Sequence, residues 1–592
     1  MTSPPGLRLT EEQQAVIACK ASELVVNAFA GTGKTTTLRA YAAARPQSRI
    51  LYLAFNKAIA DEAGQSFSPH VECRTMHSLA YQAVGKRFRH KLGALRPSDL
   101  TRVYRELDVI LAGFIVKALE AFMYGDTDAV QVEHVAPELA WSDRVQIAAA
   151  AQRIWTDLSN PNTPLPLPHD GYLKLYQLSR PRLARRYDII LLDEAQDTNL
   201  VTAAIVLGQP CTKVLVGDRH QSIYAFRGSV DAMRMLPSAD VLYLTHSMRF
   251  GRFVAQAATN LLHYFKGETQ TIVGRAAGAA PAEDIDPGKP YAIISRTNAG
   301  VFSRAVEALG SRKVYFVGGV ENYLLGKLYD VHSIWAGKPE LVQDPFYREF
   351  TDFSALSSYA RDVEDKEIMA LVGIVKDYKA SLPSLIDEVV RAACETMQEA
   401  DLYLMTAHRS KGLEFDQVLL DDDFFELVDK DGRPNRHELV DFDQEVNLLY
   451  VALTRAKVNL RFNRQYRAFH AAAASGALQP AAPQDSPPGA HVYLAEAAPA
   501  KATIDPRAAT ESGPGKEMAP VTTPELAARL IGRVERAMLS LALFSSEGIA
   551  GALGEPVDAV AAAIAAAIRD NAIAPALFAN DPHVREASKR GL

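Results

Sequence analysis

The chain has 592 residues, of which 48% are hydrophobic and 23% charged, with a formal net charge of −6. This composition suits several domains with sizeable cores and indicates neither disorder nor a membrane protein for the bulk of the chain. The negative sum excludes a uniformly basic nucleic-acid coat and leaves room for a local basic groove, with "KRFRHK" (Lys86–Lys91) and "SRPRLARR" (Ser179–Arg186) as candidate runs.

No apolar run reaches the length of a membrane span, and "MTSPPGLRLT" lacks the apolar core of a signal peptide. A cytoplasmic protein of bacterial type without a membrane partner is therefore expected. Cys19, Cys73, Cys211 and Cys394 lie far apart and form no C-x-x-C pair, so they read as core thiols.

In chain order, "ELVVNA" predicts a buried strand, followed by a Gly/Thr loop and a helix from "TTTLRAYAAA". "RILYLAFNKAIADEA" and "VECRTMHSLAYQAV" repeat the strand-then-helix pattern. Residues 84–172 read as a helical insertion, with amphipathic helices over Asp99–Tyr124 and Ser142–Leu158 and then the proline-rich "NPNTPLPLPHD". Alternation resumes with the strands of "DIILLDE", "TKVLVGD" and "VLYLTH". The predicted first α/β domain thus comprises residues 1–83 and 173–250.

A second α/β domain is expected over 251–329 and 399–467, with strands in "YAIISRTNAGVF", "KVYFVGG" and "DLYLMTAHRSKGLEFDQVLL" and a short helical insertion at 330–398. Residues 468–520 are rich in Ala, Pro, Gly and Ser and read as a flexible linker. Residues 521–592 read as a small helical domain of helix-turn-helix cadence, opened by Thr523 as cap and Pro524 at the first position.

The loop from Ala28 to Thr35 reads A-F-A-G-T-G-K-T, which fits the G-x-x-x-x-G-K-[ST] phosphate loop with Ala in place of the first Gly. Gly31 and Gly33 let successive backbone N–H groups converge on phosphate oxygens at a helix N-terminus, with Thr32 and Thr36 completing the cradle. Lys34 is placed to meet the β and γ phosphates, and Thr35 to hold Mg²⁺ through its hydroxyl. In "YDIILLDEAQDTN", four apolar residues deliver Asp193 and Glu194 to a strand end, Asp193 for the metal and Glu194 to deprotonate water.

With these halves placed, the chain resembles superfamily 1A DNA helicases of the UvrD/Rep/PcrA type, and within them the helicase core of the F-box DNA helicase group. The match runs from about residue 9 to residue 462 as a set of ordered motifs. The resemblance implies an α/β fold of two RecA-like parallel-sheet domains, each with a helical insertion, using ATP and Mg²⁺. "LTEEQQAVI" is similar to the Q motif, which implies that Gln13 recognises adenine. "AFNKAIADEA" and "TMHSLAY" resemble motifs Ia and Ib, making Phe55, Asn56, Thr75 and His77 implied DNA contacts.

"VGDRHQSIYAFRG" resembles motif III: Gln221 and Arg227 are implied at the γ-phosphate, and Tyr224 and Phe226 as stacking surfaces for bases. "LTHSMRF" resembles motif IV and implies Arg249 as one γ-phosphate clamp. "ISRTNA" offers Arg296 and Asn298 toward DNA. "TAHRSKGLEFDQV" is similar to motif V, with His408 and Lys411 near DNA and Glu414 at the ribose. "EVNLLYVALTRAK" is similar to motif VI, with Arg455 the second arginine.

"HDGYLKLYQLSRP" (His169–Pro181) carries the strongest likeness to the F-box group, yet the Q motif starts so early that neither an F-box nor ubiquitin-ligase recruitment is expected.

The resemblance implies an ATP-dependent 3′→5′ DNA helicase or translocase of repair, recombination or replication, acting on single-stranded and on tailed or forked duplex DNA. Two alternatives share its motifs: an ATPase that strips proteins from single strands without unwinding, and an ATPase module of a defence or regulatory complex that meets a protein partner through its C-terminal region.

Overall fold

The computed structural model of the protein describes residues 9–137, 139–225, 228–276, 284–323, 325–362, 366–436 and 441–483. Phe226, Arg227 and the expected helical region 521–592 lie outside these residues.

Two parallel sheets organise the chain. The first has six strands: β1 (Glu23–Ala28), β2 (Ile50–Leu53), β3 (Val71–Arg74), β4 (Ile189–Asp193), β5 (Thr212–Gly217) and β6 (Asp240–Leu244), in the order β3-β2-β4-β5-β1-β6. The second has five: β7 (Tyr291–Ser295), β8 (Val314–Phe316), β9 (Leu402–Thr406), β10 (Phe415–Leu420) and β11 (Ala456–Arg461), in the order β8-β9-β7-β10-β11. All pairings within both sheets are parallel. The fold is thus α/β with two RecA-like sheets.

The apolar runs are continuous because both faces of each strand are covered. In β1, Leu24 and Val26 face one core with Leu38 and Tyr41 of helix Lys34–Ala43, while Val25 faces another with Phe122 and Trp155. The second sheet repeats the arrangement. Ala292 and Ile294 pack toward helices Arg252–Lys266 and Phe442–Leu453, and Ile293 toward helices Asn298–Ala308 and Leu325–Trp335.

Two expectations change. The single helix over Asp99–Tyr124 is two, Pro97–Val103 and Val109–Tyr124. Asp108 caps the second by accepting from Leu111 N at 2.8 Å, a contact that stabilises a helix start by about 1 kcal/mol. Residues 468–474, expected to open a flexible linker, instead continue helix Arg464–Ala474 with Phe469 and Ala472 buried, and the expected linker from 484 to 520 lies outside the described residues. Of the basic runs, Lys91 turns inward to the carbonyls of Leu158 and Asn160, and Arg186 pairs with Glu72 at 3.2 Å. Among the described residues, no helix is long and apolar enough to cross a membrane.

Candidate functional site

Sheet order decides what meets at the strand ends. β5 lies between β1 and β4, so the loop after β1 and the acidic pair ending β4 open on the same edge, where open α/β sheets bind ligands. The loop turns through Gly31 (φ 74°) and Gly33 (φ 79°), the left-handed region that glycine enters without strain. Thr32 ties the turn by donating to the Phe29 carbonyl at 2.8 Å. Gly33 caps helix Lys34–Ala43 without a side-chain acceptor, so its first N–H groups face the loop mouth, with Thr36 half-buried on the first turn. Ala28, the last residue of β1, is buried. Gln13 closes a capping box with Thr10 and donates Nε2 to the Thr32 carbonyl at 3.3 Å, which sets it against the loop.

At the end of β4, Asp193 Oδ2 accepts from Thr35 Oγ1 at 3.3 Å and from the Tyr52 hydroxyl at 2.6 Å. Burial, then the Glu194 charge, hold the Asp193 carboxyl above its ordinary value, with Lys34 opposing. Glu194 adopts a left-handed backbone (φ 51°, ψ 44°), which costs a non-glycine residue roughly 1–2 kcal/mol. Its Oε1 lies 2.7 Å from Lys34 Nζ and its Oε2 accepts from Gln196 Nε2 at 2.6 Å. Burial would raise Glu194, yet Lys34, Lys411 and Gln196 together bring it down to about 2. For Lys34, burial would lower the ammonium, but Glu194, Asp193 and Asp218 outweigh it and raise it.

A hydroxyl and a carboxylate oxygen meeting at the foot of a phosphate-type loop are the hard donors that Mg²⁺ takes alongside phosphate oxygens and water. Among the described residues no cluster of three or more His, Cys, Asp or Glu is arranged to hold a metal. The donor set therefore fits a metal brought with a nucleotide better than a resident one.

Arg249, which follows the last strand of the first sheet, meets residues of the second half of the chain. Arg249 Nε lies 3.0 Å from Glu414 Oε2, and its NH1 donates to the Thr454 carbonyl at 3.3 Å. Arg455 is 1% exposed and donates to the carbonyls of Val451 and Leu413 and, at 3.4 Å, to Gln221 Oε1. Burial, then the neighbouring Arg249 charge, lower it from its ordinary value. Gln221 Nε2 in turn donates to Asp218 Oδ2 at 2.8 Å. Lys34 interacts with Asp193 and Glu194, Arg455 with Gln221, Glu194 and Arg249, and Arg249 with Glu414, so these residues gather at one site.

The residues expected at DNA divide. Phe55 is 49% exposed and stacks on Tyr224, with ring centroids 5.9 Å apart and planes at 14°. Tyr224 also faces the His408 ring at 6.3 Å, and Lys411 Nζ sits 5.1 Å from the Tyr224 ring centre. The same ammonium meets Asp197 Oδ2 and donates to the Gln221 carbonyl at 2.5 Å. Asn56 and Thr75 are helix caps, accepting from Ile59 N and Ser78 N, and His77 Nε2 lies 3.0 Å from Asp170 Oδ1. Arg296 is drawn elsewhere: its Nε and Nη2 donate side by side to the two Glu445 carboxylate oxygens, at 2.8 and 2.6 Å. Asn298 is half-buried on the first turn of its helix.

Several cleft residues escaped the sequence. Tyr52 lies on β2, paired with Leu191 two residues before Asp193, and only the β2-β4 adjacency brings its hydroxyl to the carboxylate. Tyr450 donates to Asp218 Oδ2 at 2.9 Å and accepts from Ala30 N at 3.3 Å. Gln196 lay inside the acidic motif without a role, and here it accepts from Asp218 N at 3.1 Å.

Residues 12–227 match a family model described as an AAA domain, and residues 344–464 one described as the UvrD-like helicase C-terminal domain. The chain is 33% identical to F-box DNA helicase 1 of Gallus gallus over 497 residues, covering 76% of this chain and 48% of that protein. It is 30% identical to F-box DNA helicase protein 1 of Schizosaccharomyces pombe over 508 residues (77% and 57%), and 23% identical to a probable DNA helicase of Mycoplasma pneumoniae over 495 residues (76% and 82%). The chain therefore spans about half the length of the two F-box relatives. The matched regions fall in the order of the two sheets, and across them the chain is similar to UvrD-like helicases of superfamily 1.

Proposed function

We propose that the chain is an ATP-dependent DNA helicase that moves 3′→5′ along single-stranded DNA, opens tailed or forked duplexes, and works in repair, recombination or replication. The observation that carries this reading is Lys411. Its ammonium touches Asp197 and the Gln221 carbonyl at the cleft and lies over Tyr224 on the aromatic face. A change in how Gln221 sits is thereby felt where bases would stack.

In this reading Lys34 and the Gly31–Lys34 backbone bind the β and γ phosphates, and Gln13 reads adenine. Thr35 and Asp193 hold Mg²⁺, which when bound supplies charge neutralisation at the phosphate oxygens. Glu194 orients water and takes its proton. Arg249, Arg455 and Gln221 close on the γ-phosphate and stabilise the charge that develops on it, with Glu414 set toward the ribose. Phe55, Tyr224 and His408 offer ring faces to the bases, a mode that tolerates any sequence.

The test is ATP hydrolysis with and without single-stranded DNA, in wild type and Lys34→Ala. Stimulation that vanishes in the variant supports a DNA-driven motor, and unwinding of 3′-tailed but not 5′-tailed duplexes supports the direction. Hydrolysis indifferent to DNA rules the motor out.

A further inference from the structure

One polar group beside the acidic pair serves no packing need. Tyr52 stands in β2, between β3 and β4, fully buried, with its ring against Phe67 at 4.7 Å between centroids and 38° between planes. Filling that space asks for an aromatic ring and not for a hydroxyl, since a phenylalanine would pack among the same neighbours and leave no buried donor to satisfy. Among the described residues the hydroxyl has one partner, Asp193 Oδ2, at 2.6 Å.

Strand register explains how the two meet. Tyr52 pairs with Leu191, and paired residues of adjacent strands share a face, so Asp193, two positions after Leu191, lies on that face about 6.6 Å further along the strand. A tyrosine leaning along the strand spans this step, and a serine or threonine does not. Three donors of the chain then hold the carboxylate. Glu194 N reaches Oδ1 at 2.9 Å, while Thr35 Oγ1 and the Tyr52 hydroxyl share Oδ2 at 3.3 and 2.6 Å. An aspartate's last torsion has only a broad preference of its own, so such partners decide where its oxygens point. On Oδ2 the Tyr52 contact is the short, charge-assisted one. Without it Oδ2 keeps only the long contact from Thr35, the same hydroxyl that is assigned to the metal.

Resting on the ATP and Mg²⁺ reading above, we propose that Tyr52 is a positioning residue for the metal: its hydroxyl fixes the orientation in which the Asp193 carboxylate receives Mg²⁺ brought with the nucleotide. Groups that orient a metal ligand from behind change metal affinity about tenfold to 100-fold when they are removed. A merely structural tyrosine would affect stability and leave the contribution of the metal untouched.

The experiment uses the full chain and reads binding rather than turnover. The affinity for a non-hydrolysable ATP analogue is measured in EDTA and in saturating Mg²⁺, and the ratio of the two gives what the metal gains from the protein. Wild type, Tyr52→Phe, Asp193→Asn and the double variant are compared, with thermal melting in EDTA as the measure of folding. Tyr52→Phe is expected to lower the ratio about tenfold while its affinity in EDTA stays within about twofold of wild type. In the Asp193→Asn background it adds nothing, since its effect runs through that carboxylate. A ratio unchanged in Tyr52→Phe overturns the role, and so does an equal loss of affinity in EDTA and in Mg²⁺, which would mean that the variant disturbs the loop itself. Either result leaves the ATP reading intact. Wild type that binds the analogue equally in both conditions overturns the metal reading and the role of Tyr52 with it, and wild type that binds it in neither overturns the ATP reading itself.

Discussion

Lys34 Nζ lies 2.7 Å from Glu194 Oε1, so the ammonium best placed for a phosphate is engaged by the carboxylate best placed to take a proton. The pair is largely buried, at 13% and 23% side-chain exposure, and Lys34 is a main reason that Glu194 is held down at about 2. A carboxylate so strongly ionised is a weak base. In the proposed mechanism, phosphate oxygens competing for Lys34 would free Glu194 and raise its basicity when substrate binds. Binding and proton transfer therefore separate by mutation. Glu194→Gln keeps nucleotide binding and lowers turnover by at least about 100-fold, whereas Lys34→Ala loses both. Nucleotide titration beside steady-state hydrolysis checks this, and Glu194→Gln turnover within tenfold of wild type counts against the assignment.

Gly31 is fixed by its neighbours as well as by its backbone. A Cβ there would lie 2.4 Å from Arg249 Cβ and 2.6 Å from Ser247 Oγ, at a φ of +74°. The Gly31 carbonyl also accepts from Met248 N at 2.8 Å, so the loop cannot slide away without loosening the segment that carries Arg249. Gly31→Ala is expected to cost about 1–3 kcal/mol of stability and to abolish tight nucleotide binding. Thermal melting with and without ATP tests both parts: wild type gains stability from the ligand and the variant does not.

The two halves of the cleft were legible for different reasons. The phosphate loop and the strand ending in Asp193 and Glu194 are local patterns, each set by a few adjacent residues, and the sheets follow from apolar runs broken by capped helices. What pairs with what was not legible. Arg296 reads as a DNA contact in "ISRTNA", but Glu445, 149 positions away, takes its guanidinium. Lys411 reaches Asp197 across 214 positions. Such partners depend on strand order and on how the sheets meet, which no window of sequence contains. The break at Tyr104–Asp108 was hidden for the opposite reason, because apolar spacing continues through it while the Asp108 cap restarts the helix.

Acid should attack the protein at Glu268. This carboxylate is 3% exposed and accepts from Arg219 at 2.5 Å, from His220 at 2.9 Å, and from the backbone of Thr269 and Gln270. Burial would raise it, but these partners bring it from 4.5 down to about 2. A depressed carboxylate stabilises the fold above its unfolded value and loses that contribution as pH falls from about 4.5 toward 2. At about 1.4 kcal/mol per pH unit between the two values, roughly 3 kcal/mol is at stake. His220, held neutral mainly by burial, acts in the same direction below its ordinary 6.5. Glu268→Gln should melt well below wild type at pH 7, with the gap narrowing toward pH 3. A gap independent of pH would show that packing, not charge, sets the cost.

Tyr450 gives the sharpest test of how the halves communicate. It stands on helix Phe442–Leu453, one turn before Arg455, yet its hydroxyl donates to Asp218 Oδ2 at 2.9 Å and accepts from Ala30 N in the phosphate loop at 3.3 Å. Its ring meets His220 edge-on at 6.0 Å, and His220 stacks on Phe29. On the same helix face Asn447 Nδ2 donates to the Ser222 carbonyl at 2.8 Å, two residues before Tyr224. One residue therefore ties the helix to the nucleotide loop, and the other ties it to the segment leading to the stacking face. Removing the Tyr450 hydroxyl leaves Ala30 N–H and one Asp218 contact unsatisfied, about 1–3 kcal/mol. Tyr450→Phe should raise the KM for ATP about tenfold or more, while Asn447→Ala should leave KM near wild type and reduce the stimulation of hydrolysis by single-stranded DNA. If both variants shift KM and stimulation alike, the helix moves as one lever on the whole cleft. If they split as expected, nucleotide and strand are sensed at separate points on it, three residues apart.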